Sequence, residues 1–189
     1  MRRFIFAVIL MVPLLATASQ RSPLGTTSRF LLVMSPDVKK EIKLTKEQNK
    51  KIEEAMKKME QDAREGRMAL DLSDPMAGIS IDLEPILDDA QKTRLDELFV
   101  QVNGGVALTD AKVGAKLELR EEQKASLKEL KAELLQMTME ALPKIRSTAG
   151  VKELEKAQNA IKSKMIDLLD ADQKAKFEAL KGKPFKFRN

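Results

Sequence analysis

The chain has 189 residues, a formal net charge of +5, no Cys, His, Trp or Tyr, and a third of its residues charged. Without Cys or His there is no Ser-His-Asp or Cys-His nucleophile system and none of the usual zinc sites, and the fold must be held by its core without disulfides. Of the +5, two charges belong to Arg2 and Arg3 and four to Lys181, Lys183, Lys186 and Arg188, leaving about −1 for residues 19–180. Acids and bases interleave there, with neither a basic stripe nor stacking aromatics, so the pattern excludes a nucleic-acid binder.

Residues 1–18, MRRFIFAVILMVPLLATA, read as a signal peptide: a positive start at Arg2 and Arg3, an apolar run, then the small residues Ala16-Thr17-Ala18. The apolar run is short of the roughly 20 residues a transmembrane helix needs. The expectation is export to the periplasm or beyond, with membrane attachment only if the segment stays uncleaved. Residues 19–30 form a polar, flexible leader. Ser35-Pro36 places a cap and an N1 proline before a short helix, Pro36 to about Ile42. A long helix follows from Lys46 to about Arg67, with Ile52, Met56, Met59 and Ala63 on one face. Residues 71–80 read as a loop, and a further helix runs from Asp89 to about Val102.

Asn103-Gly104-Gly105 divides the chain into units 31–105 and 106–181. The second holds a helix from Glu121 to about Leu142, with Leu127, Leu130, Leu134, Met137 and Ala141 on its face and Pro143 as its stop. Ser147 and Thr148 cap the next, Val151 to Leu169, with Val151, Leu154, Ile161, Met165 and Leu168 facing inward. A short helix, Ala171 to Lys181, precedes the basic tail 182–189, whose Phe185 and Phe187 can fold back. No strand alternation occurs at useful length. The fold class is all-α, amphipathic helices in two tandem units that form a bundle or a pair of hairpins.

The units share a motif. At an offset of 75, Leu44, Glu47, Gln48 and Ile52 face Leu119, Glu122, Gln123 and Leu127. At an offset of 82, Leu87, Asp88, Gln91 and Leu95 face Leu169, Asp170, Gln173 and Phe177. Thr45 with Gln48, Asp88 with Gln91 and Asp170 with Gln173 fit capping boxes, in which the cap oxygen accepts from the N3 backbone and the N3 side chain accepts from the cap's N–H. Arg120 breaks the series, since it is a poor cap. Each leucine anchors the chain as it enters its helix.

Helices opened by L-T-x-x-Q, early and late in each unit, resemble the LTxxQ family of bacterial periplasmic proteins typified by Spy and CpxP. Leu44-Thr45-Lys46-Glu47-Gln48 is the best match, and the likeness covers most of residues 38–181. It implies an exported, non-enzymatic, all-helical protein that binds unfolded or partner polypeptides without ATP or cofactor, chaperone-like or as an envelope-stress adaptor; a homodimer is one arrangement it implies. The alternative is a structural or assembly module of the envelope with one dedicated partner. A metal-stress role is more distant, because such members tend to use His and this chain has none. Two units here, where the founding members carry one, make the chain resemble a fused dimer.

Of the methionines, Met56, Met59 and Met165 lie on expected core faces, while Met68 and Met76 lie near a loop and are the candidates for client contact. Paired acids such as Asp88/Asp89, Asp170/Asp172 and Asp71/Asp74 sit at helix starts or in turns, where capping accounts for them without catalysis.

Overall fold

The computed structural model describes residues 26–65 and 81–187, apart from the side chain of Ala63. The expected signal peptide 1–18, the start of the expected leader, the expected loop 71–80 with Asp71 and Asp74, and both Met68 and Met76 lie outside the described residues. Among those described, the structure is all-α without a strand, and no helix is long and apolar enough to cross a membrane. The described residues form eight α-helices: α1 Arg29–Met34, α2 Pro36–Glu41, α3 Lys46–Arg64, α4 Asp89–Asn103, α5 Ala111–Lys116, α6 Glu121–Ala141, α7 Thr148–Asp167 and α8 Ala171–Leu180. Two 3-10 segments, Gly104–Thr109 and Leu142–Lys144, complete the regular structure.

The chain divides into two compact units, Ser28–Asp96 and Glu97–Phe185, with Thr27 belonging to the second. The division falls inside α4, seven residues before the Asn103-Gly104-Gly105 break.

In the first unit the leader expected over 19–30 gives way to order at its end. Ser28 caps α1 by accepting from the Leu31 N–H at 3.2 Å, and Phe30, Leu32 and Val33 are buried. Burial of that apolar cluster outweighs the polar leader composition around it. Pro36 stands at the start of α2 as expected, but the Ser35 side chain makes no capping bond. The helix ends in a Schellman turn: the Leu44 N–H donates to Lys39 O at 2.8 Å and the Lys43 N–H to Lys40 O at 3.2 Å. Lys43 takes φ 52 there, the left-handed conformation such a turn requires and usually gives to glycine. Val38, Ile42, Ile52, Leu87 and Leu95 complete this unit's core.

The second unit reproduces that local course 75 residues on. Asp110 caps α5 from its side chain, accepting from the Val113 N–H at 3.1 Å. The helix ends with the Leu119 N–H donating to Gly114 O at 3.1 Å, while Glu118 takes φ 52. Before α5 the 3-10 segment buries Gly105, Val106, Ala107 and Leu108. A Cβ on Gly105 would run into the Lys162 carbonyl of α7, so only glycine admits this approach. Asn103 ties the unit's start, its amide bonded to both backbone groups of Thr27 at 2.8 and 2.9 Å.

Helices α6 and α7 form an antiparallel hairpin that bends through Leu142–Lys144, where Pro143 ends α6. Its contact stripe departs from the apolar periodicity. Met137 and Ala141 are only half-covered and Val151 is 44% exposed, whereas Thr138 and Gln158 are buried. The Gln158 amide donates to the Thr138 hydroxyl at 3.1 Å, so two polar side chains occupy the seam because each satisfies the other. Val151 falls in the first turn of α7, beside the bend, where the stripe runs out. After α8 the tail returns to α4: the Gln101 amide donates to Lys181 O at 2.5 Å and Lys183 O at 2.9 Å, and the Phe185 N–H donates to Gln101 Oε1 at 3.0 Å.

Candidate functional site

The motif residues converge in pairs. In the first unit the Thr45 N–H donates to Gln48 Oε1 at 3.0 Å and the Gln48 N–H to Thr45 Oγ1 at 3.1 Å. The Asp88 and Gln91 bonds are equivalent, at 3.0 and 2.8 Å. In the second unit Asp170 and Gln173 repeat them at 3.2 and 2.9 Å. The Arg120 side chain carries no acceptor, so only the return bond remains there, from the Arg120 N–H to Gln123 Oε1 at 3.0 Å. Leu87, Leu119 and Leu169 are buried and Leu44 is half-buried.

Capping uses each glutamine's oxygen and leaves its NH₂ group. These groups build a second device. Gln48 Nε2 donates to Gln91 Oε1 at 2.6 Å and Gln91 Nε2 to Gln48 Oε1 at 3.0 Å, a reciprocal amide pair. Gln123 and Gln173 pair likewise at 2.7 and 3.1 Å. The remaining N–H of each amide goes to a carbonyl that ends the element before the partner's motif. Gln48 reaches Ile86 O at 3.0 Å and Gln91 reaches Ile42 O at 3.2 Å; Gln123 reaches Leu168 O at 2.8 Å and Gln173 reaches Leu117 O at 3.2 Å. Each unit thus closes on an amide clasp that joins two helix starts and two chain turns. Gln91, Gln123 and Gln173 are buried and Gln48 is half-buried.

The sequence carried one unread signal of this pairing. Glu serves the capping box as well as Gln, yet all four N3 positions hold Gln. Only the amide offers N–H donors, which a clasp requires and a cap does not.

Charges flank the clasps. Arg120 donates to Asp170 Oδ2 at 3.1 Å, so the residue that fails as a cap meets the cap of the partner motif. The Asp170 carboxyl lies below the usual carboxylate range, first because it accepts from the Gln173 backbone N–H and then because of Arg120. One helical register is used alike in both units: Arg94 Nε donates to Glu41 Oε1 at 2.8 Å, and Lys176 Nζ pairs with Glu118 Oε2 at 3.3 Å.

Of the described acids in these pairs, Asp88 and Asp170 accept from the N3 backbone, and Asp89 pairs with Lys92 at 3.2 Å. No group of three or more potential metal-binding side chains occurs among the described residues. Of the methionines expected in the core, Met165 is fully buried, whereas Met56 and Met59 are half-buried. Met139 is the most exposed large apolar side chain described, at 56%. Comparison with protein-family models, curated proteins and solved structures finds no match to this chain.

Proposed function

We propose that this chain is an exported, non-enzymatic helical protein that binds other polypeptides, chaperone-like or as an envelope-stress adaptor, built from one clasped unit used twice. The observation that carries the reading is the four-motif pattern: each glutamine caps its own helix and clasps its partner, on the residues that bear the LTxxQ resemblance. The exposed Met139 and Val151 near the α6–α7 bend supply apolar contact points among charged neighbours, and an unbranched thioether adapts to varied client shapes. Binding by such a surface is reversible and needs no nucleotide.

The test is light scattering from an aggregating client protein without ATP. Suppression near stoichiometric ratios, weakened by Met139→Asp with Val151→Asp, supports the proposal. No suppression at several-fold excess overturns it. Recovery from envelope extract of one stoichiometric partner and no broad client set assigns the chain instead to envelope assembly.

A further inference from the structure

The two clasps hold helices of unequal anchorage. In the second unit the buried residues of α6 run its length, at Gln123, Leu127, Leu134 and Thr138. In the first unit the anchorage of α3 gathers in its opening turns. Gln48 joins the clasp, Asn49 Oδ1 accepts from Lys39 Nζ at 2.6 Å, and Ile52 is fully buried. Beyond Ile52 none of the helix's described side chains is buried: Met56 and Met59 are half-covered, and Met59 holds the register position at which α6 buries Leu134. The surrounding clasp is also the wetter of the two, with Gln48 and Leu44 half-exposed where Gln123 and Leu119 are buried.

A helix whose fully buried side chains lie at one end opens most readily where that end releases, because half-covered side chains resist the motion less than buried ones. We propose that α3 is a latched arm: the Gln48–Gln91 clasp is its latch, and α3 leaves the first unit as one cooperative segment while α6 stays seated in the second. Release breaks the reciprocal amide bonds and the bond to Ile86 O together and exposes Ile52 to water. The device rests on the fold alone and stands apart from the polypeptide-binding reading.

Hydrogen exchange of the full-length chain tests it, by comparing amides Ile52–Met59 of α3 with the equivalent Leu127–Leu134 of α6. Expected is exchange faster by about tenfold or more in α3, through an opening smaller than global unfolding. Gln91→Glu keeps the capping box but removes the Gln91 half of the latch donors, and accelerates the α3 amides by a further tenfold or so while leaving α6 unchanged. Gln48→Glu, at the half-exposed partner, acts in the same direction more weakly and serves if Gln91→Glu does not fold. Equal protection of the two stretches in the unaltered chain overturns the proposal, as does a latch variant that accelerates α6 as much as α3.

Discussion

At the scale of the residue, the glutamine four places after each motif leucine has two separable duties. Gln123→Glu separates them. The carboxylate still caps, but it cannot donate to Gln173 Oε1 or to Leu168 O, and it buries a charge beside an amide oxygen. The expected cost is about 1–3 kcal/mol, the usual loss for an unmet buried polar group, read as a lower denaturation midpoint in urea. A midpoint equal to that of the unaltered chain would show that capping is the glutamine's whole role. Lys43 and Glu118 pose the opposite case, since both pay for a left-handed backbone that glycine adopts freely. Lys43→Gly and Glu118→Gly are expected to stabilise by roughly 0.5–1 kcal/mol each after the extra entropy of the unfolded glycine, seen as a higher thermal midpoint.

At the scale of the element, helix starts are written locally and seams are not. Ser147, Asp88 and Asp170 announce their helices because a cap acts within three residues. Helix α1 escaped, since RFLLVM shows no polar face from which to read a period. The clasps were illegible for another reason: their partners stand 43 and 50 residues apart, and no local pattern reports a pairing across that distance. Thr138 and Gln158 lie outside any apolar period, because polar residues that satisfy one another leave no mark in it. A double-mutant cycle checks that pair. Thr138→Val should cost about 0.5–1.5 kcal/mol by removing this acceptor from the Gln158 amide, and with Gln158→Leu added the two losses should fall short of their sum. If the two losses simply add, the bond at 3.1 Å contributes nothing to the seam.

At the scale of the whole molecule, the missing residue types define the chain's response to its surroundings. With no His or Cys, no side chain of unperturbed type titrates near neutrality. Asp170 and Lys92 are shifted, and both act at the extremes. The folded pKa of Asp170 is lowered from 3.8, so its stabilisation is present above that value and is lost as pH falls through the folded one. The folded pKa of Lys92 is raised from 10.5 by Asp89 and then Glu84, so its stabilisation is present below that value and is lost as pH rises through the folded one. Thermal midpoints should therefore form a plateau across about pH 5–9, indifferent to reductant. A midpoint that moves steadily within that window would contradict this account.

The two clasps close with the same bonds although the chain between their glutamines is longer by one heptad in the second unit. In the second unit that span is the α6–α7 hairpin, which runs out from Gln123 and back to Gln173. The clasp is therefore a fixed socket, and what projects between its jaws is a cassette whose length is free. Equal insertions or deletions in α6 and α7, a heptad in each so that both helices keep their faces, alter the reach of the second unit and leave its base untouched, which makes arm length the natural variable for redesigning this scaffold.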